Sequence, residues 1–172
     1  MKRIIVIAIA LAFVLGSSRE QTAASDGEGK GGATKVNIDL QWGGYYASLE
    51  QEEEQFGVFR LLDFNRYAYH VAIFKEKFSE LPSLEHVMRL TPYIGHAPID
   101  SKALLRPREI HLLGATPLTE EDLKGYRFYL EQHEMEEKDI KALLDSVIGF
   151  GNEPPLKLTL AEKDGELEIT ER

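Results

Sequence analysis

Residues 56–74 read FGVFRLLDFNRYAYHVAIF, an almost unbroken run of apolar and aromatic side chains that also carries Arg60 and His70. Asp63 and Asn65 are turn residues, because they tolerate the left-handed region and bond locally to the backbone. The run therefore predicts a hairpin with strands near 55–62 and 67–75 around Asp63-Phe64-Asn65-Arg66. A turn centred on Phe64-Asn65 pairs Leu62 with Tyr67, Arg60 with Tyr69 and Val58 with Val71. Val58, Arg60, Tyr69 and Val71 then share one face, and Phe59, Leu61, His70 and Ala72 the other. Both faces are apolar, as in a central hairpin covered on both sides. This register separates Arg60 from His70, whereas a loop one residue longer or shorter would bring them together.

Working outward, Val36, Ile38 and Leu40 alternate with polar neighbours, the period-two pattern of a half-buried strand. Gly43-Gly44 breaks it, and the acid-rich stretch after Leu49 reads as a short helix or an exposed connection. LPSLEHVMRL at 81–90 predicts a short helix capped by Ser83. TPYIGHAPID at 91–100 is punctuated by Pro92, Gly95 and Pro98 and predicts a loop. SKALL at 101–105 reads as one helical turn and REIHLLG at 108–114 as a strand. A helix follows from Thr119 as cap to about Gln132, with Leu118 stapled onto Leu123 and Gly125 a weak point inside it. Ile140, Leu143, Leu144, Val147 and Ile148 form the stripe of a second helix, stopped at GFGNEPP. Leu156, Leu158 and Leu160, then Leu167 and Ile169, alternate around Lys163-Asp164-Gly165 and predict a closing hairpin. The fold class is α+β: a largely antiparallel sheet with two helices of the C-terminal half packed on it.

The chain has 172 residues and a formal charge of −9, so a nucleic-acid partner is not expected. Lys2 and Arg3 precede an apolar run from Ile4 to Leu15, and small residues follow through Ala24. That is the pattern of a signal peptide at 1–24, cut near Ala24 or Ser18, with a glycine-rich leader at 25–35 and one globular domain at 36–172. The run falls short of the roughly 20 residues that span a bilayer, so no stable membrane anchor is expected after cleavage. Loss of Lys2, Arg3, Arg19 and Glu20 takes the charge from −9 to −11. With no cysteine, there are no disulfides, thiolate sites or lipid attachment, and a periplasmic or secreted bacterial protein is the expectation.

Chemistry is sparse. GxSxG, SxxK and phosphate-cradle motifs are absent, and no cofactor is called for. GEGKGG at 27–32 lacks a flanking strand and helix, and the acidic pairs read as solvated faces. His70, His86, His96, His111 and His133 form no HExxH or HxH pattern. His70, His96, Asp100 and His111 have ligand types that suit a dispersed metal site. Trp42, Tyr45 and Tyr46, beside two glycines, are either an aromatic binding platform or core under a sheet edge. His70, flanked by Ala68 and Ala72, is either a buried hydrogen-bonded ring or a base in a small-residue pocket. His96 sits in a stretch where Tyr93, Ile94 and Ile99 either anchor a loop or frame a site. The first functional expectation is an exported non-catalytic domain binding a protein or small ligand through Trp42, Tyr45, Tyr46, His70 and His96. The second is a histidine-based, metal-dependent enzyme, and the third a structural envelope protein.

Overall fold

The computed structural model describes residues 35–172. The stretch expected to be a signal peptide, 1–24, and the expected leader at 25–35 lie outside the described residues except for Lys35, which opens the first strand. The class is the one the pattern predicts, α+β with antiparallel pairing throughout, two longer helices in the C-terminal half and a closing hairpin. The strands, however, divide into two sheets. β1 (Lys35–Leu40), β7 (Leu156–Lys163) and β8 (Glu166–Glu171) make three strands in the order β1-β7-β8. β2 (Gly44–Leu49), β3 (Phe56–Phe64), β4 (Ala68–Phe78), β5 (Ile94–Asp100) and β6 (Glu109–Ala115) make five, in the order β5-β4-β3-β2-β6.

The division happens at Gln41-Trp42-Gly43. Gly44 N–H donates to Gln41 O at 3.0 Å, closing a tight turn, and Gly43 adopts φ 75°. A Cβ on Gly43 would lie 2.2 Å from the Thr116 carbonyl oxygen, so glycine is required for both conformation and space. The closing hairpin turns at Asp164-Gly165 with φ of 51° and 78°, the left-handed pair that matches strand twist.

The central hairpin departs from the symmetric register. Arg60 faces Ala72 and Leu61 faces Val71, but Asp63 faces His70 and Phe64 faces Tyr69, so Leu62 is a bulge. Val58 still groups with Arg60 and Phe59 with Leu61, but the pairing is displaced by three residues, Arg60 meeting Ala72 instead of Tyr69, an odd shift that exchanges the faces of β4. Val58, Arg60, Asp63, His70, Ala72 and Phe74 now share the first face; Phe59, Leu61, Tyr69, Val71 and Ile73 share the second. Residues 94–100 are not a loop but β5, an edge strand paired only with β4. An edge position tolerates Pro98, whose missing N–H has no ladder partner to lose on the open side.

The first face is closed by helices. Val87, the last residue of α1 (Leu84–Val87), packs with Tyr45, Val58 and Phe74. Ser83 caps α1 by accepting from His86 N–H at 3.2 Å. Thr119 and Asp122 form the reciprocal bonds of a capping box, but regular helix begins only at α2 (Lys124–Gln132), one turn later than the pattern predicts. Gly125 lets α2 approach β5, since a Cβ there would meet the His96 Cβ at 2.9 Å. α3 (Glu137–Phe150) adds Ile140, Leu144 and Val147 to the core it shares with Leu158, Leu160 and Leu167 of the smaller sheet. On the second face Leu61, Tyr69 and Val71 are buried in one cluster with Leu104 and Leu105 of the 3-10 turn Ser101–Leu105, whereas Phe59 and Ile73 are half-buried.

Gly43→Ala is expected to cost about 2–3 kcal/mol, combining left-handed strain with the Thr116 clash. Gly165→Ala, at φ 78° in open space, should cost about 1 kcal/mol. Urea denaturation of both variants checks the ordering; equal losses would show that the Gly43 contact does not constrain the turn.

Candidate functional site

Two places carry chemistry, one on each face of the larger sheet. On the first face the bulge collects Arg60, Asp63 and His70, all under 10% exposed. Arg60 donates through Nη1 to Asp122 at 2.5 Å, through Nη2 to the Thr116 hydroxyl at 2.8 Å, and to the carbonyls of Gly43, Thr116 and Pro117. Its guanidinium also lies 5.0 Å from the Tyr45 ring centre. Partial burial would raise the Asp122 carboxyl, but the Thr119 hydrogen bonds and the Arg60 charge outweigh it and hold that group below its ordinary value.

Asp63 accepts three hydrogen bonds: from Trp42 Nε1 at 2.9 Å, from the Phe64 N–H at 2.8 Å and from the Tyr126 hydroxyl at 2.7 Å. Burial and the adjacent Asp63 charge push the Tyr126 hydroxyl upward, so it stays a donor. Next to this group, His70 Nδ1 lies 2.9 Å from His96 Nε2, which requires one ring to donate and the other to accept. Tyr126 and Tyr129 cover the pair, with His70–Tyr126 ring centres at 4.5 Å and His96–Tyr129 at 4.8 Å. His133 follows on α2, its Nδ1 2.8 Å from the Tyr129 carbonyl. Burial depresses His70, with Asp63 opposing and His133 adding to the effect. Burial and the neighbouring His70 push His96 down to about 4.

The residues expected to form sites are distributed as follows. His70 and His96 meet. Asp100 is occupied as a cap, accepting from Lys102 N–H at 2.8 Å. His111 lies on β6, four strands from β5 and so about 19 Å from His96 at about 4.8 Å per strand, with Glu109 3.2 Å from its ring. Among the described residues no group of three or more histidine, cysteine or acidic side chains converges to hold a metal. Trp42, Tyr45 and Tyr46 are 5%, 7% and 1% exposed, so their rings face the core. Trp42 packs on Phe150, and the Tyr46 hydroxyl joins Asp39 O and Gln41 N–H.

The second face holds a groove of about 220 Å³. Its floor includes the Phe59 ring, tilted against Tyr69 at 5.9 Å and stacked at 5.1 Å on the buried Tyr46 beside it. Ser48, Ile73, Ile99 and Ile110 extend the floor across the remaining strands, and Leu104 and Pro107 form a wall. Tyr69 is 6% exposed, and its hydroxyl has no hydrogen-bond partner among the described residues. No fully buried side-chain polar atom in the described residues lacks a partner, so the Tyr69 oxygen opens into the groove it lines. Burial and the Glu50 charge raise that hydroxyl to about 12, with Arg106 pulling the other way. From the sequence, Ile99 anchors or frames the 93–100 stretch, and the other groove residues have no expected site role. Their signal is the alternation Tyr69-Val71-Ile73 beside Phe59-Leu61, which becomes one surface only with the bulged register. Comparison with family models, curated proteins and solved structures finds no match to this chain.

Both histidines of the pair stay neutral in the folded chain at a pH where an unfolded histidine, ordinarily near 6.5, already binds a proton. The unfolded state then binds more protons, so stability falls as pH drops from about 6.5 towards 4. The urea midpoint should fall between pH 6.5 and 5, above the main carboxylate range, and His96→Gln should flatten that slope. An unchanged slope in His96→Gln would contradict the assignment.

Proposed function

We propose that this protein is an exported, non-catalytic binding domain that holds a small ligand, or one side chain of a protein partner, in the groove of the five-stranded sheet. Tyr69 carries the reading. A hydroxyl in an almost fully buried residue, lacking a protein partner and opening into an apolar groove, is the arrangement by which binding sites orient a ligand. Lys2 and Arg3 ahead of the apolar run Ile4–Leu15 support export to the periplasm or beyond, and the charge of −9 argues against nucleic acid.

A histidine-based enzyme is the second reading, favoured by the His70–His96 contact. It ranks lower because these rings engage each other and lie under Tyr126 and Tyr129, whereas a catalytic base must reach a substrate. The neutral fluorophore N-phenyl-1-naphthylamine tests the groove. Ile73→Glu and Ile99→Glu should each weaken its binding at least tenfold. Phe128→Glu, on the exposed face of α2, should leave it unchanged. Equal effects from all three, or from none, would contradict the groove as the site.

A further inference from the structure

The edge strand β5 reaches both faces of the larger sheet. His96 packs against the Tyr126 and Tyr129 rings of α2 on the first face, and Ile99 lines the groove on the second. Among the described residues its ladder partner is β4 alone, and α2 lies against it. At this junction His70 of β4 and His96 of β5 meet at 2.9 Å, Nδ1 to Nε2. His70 is buried, whereas His96 is half-buried and within reach of solvent protons. Two further elements face the pair. β3 supplies the Asp63 carboxylate, opposite His70 in the ladder, and α2 supplies Tyr126, Tyr129 and, against Tyr129, His133. Asp100 of β5 is engaged as a cap by Lys102 N–H, and Arg60, on the same face as His70, is balanced by Asp122. One carboxylate, Asp63, therefore stands beside two proton-binding rings.

A first proton leaves this contact intact, because an imidazolium donates to an imidazole and Asp63 balances the charge. A second proton removes the acceptor. Two imidazolium N–H groups then point at each other beneath tyrosine rings, with His133 adding a third positive charge, and a single carboxylate does not offset them. We infer that the His70–His96 contact is a proton-operated latch: in acid the pair takes up a second proton, and β5 parts from β4 and α2 while the rest of the larger sheet stays folded. β5 gives way because an edge strand has one ladder to lose, whereas β3 is paired on both sides and tied down through Arg60 and Asp63. Burial and the neighbouring His70 hold His96 at about 4, so the latch is closed at neutral pH. Resting on the groove as the binding site, the parting of β5 takes Ile99 out of its lining and makes ligand retention pH-dependent.

Hydrogen exchange of the full chain at pH 7 and pH 4, read as protection factors, tests the latch. Protection of the β5 amides should fall by about tenfold or more in acid, while the β2–β3 ladder changes less than about threefold. His96→Gln, whose amide can donate and accept without binding a proton, should keep β5 protected at pH 4. In the wild-type chain the ring resonances of His70 and His96 should titrate with the midpoint of β5 opening. A uniform loss across all strands, no loss at β5, the same loss in His96→Gln, or ring titration more than about one pH unit from the opening would overturn the latch. N-phenyl-1-naphthylamine, neutral at both pH values, reads the groove: the wild-type chain should release it at pH 4 and His96→Gln should retain it. Retention by a wild-type chain whose β5 has opened would overturn the coupling. If the fluorophore binds at neither pH, the groove reading fails, and the exchange data decide the latch.

Discussion

Leu62 is the residue that the ladder between β3 and β4 passes over, and the arrangement of both faces of the larger sheet follows from that omission. A side-chain period of two means that one inserted residue exchanges the faces of everything beyond it. On one side of the bulge, Arg60 pairs with Ala72; on the other, Asp63 pairs with His70. Arg60, Asp63 and His70 are thereby gathered on a single face, and Phe59, Leu61, Tyr69, Val71 and Ile73 are left to form the opposite surface, where the Tyr69 hydroxyl is the polar group.

Gathering polar groups under a helix is costly unless each is satisfied. The first face meets the condition group by group. Arg60 is surrounded by carbonyls, a hydroxyl and Asp122, and Asp63 by an indole, a phenol and a backbone N–H. The histidines answer each other. These contacts tie β3 to the segment before α2, to α2 itself and to the turn at Trp42, so they join the larger sheet to its helical cover and to the chain entering from the smaller sheet. A polar set of this kind specifies one docking of α2, because sliding the helix would strand Asp63 and Tyr126 together. The second face is mainly apolar, half-buried at Phe59 and Ile73, with the Tyr69 hydroxyl unpartnered among the described residues.

Much of the architecture was legible because it rests on periodicity. The stripe Ile140–Val147, the closing hairpin at Asp164-Gly165 and the Ser83 cap are local patterns, and all three are present. The α+β class followed from their order. What sequence could not carry was pairing. Nothing in FRLLDFNRYAYH marks Leu62 as the extra residue, since every neighbour is equally apolar, and the symmetric turn was the simpler choice. Pro98 and Gly95 read as a loop because their signal does not distinguish a loop from an edge strand. The His70–His96 contact depends on that strand, and the groove on the bulge, so both candidate sites were hidden by the same two local ambiguities.

The two-faced sheet is the centre of this account, and methyl-resolved NMR during titration with N-phenyl-1-naphthylamine addresses it most directly. Methyl resonances of Ile73, Ile99, Leu104 and Ile110, all lining the groove, should shift with saturation, while those of Val87, Leu123 and Leu130, buried beneath or within the helical cover, stay in place. Shifts confined to Val87, Leu123 and Leu130, with Ile73 and Ile99 unmoved, would place the open face on the wrong side of the sheet and contradict the account.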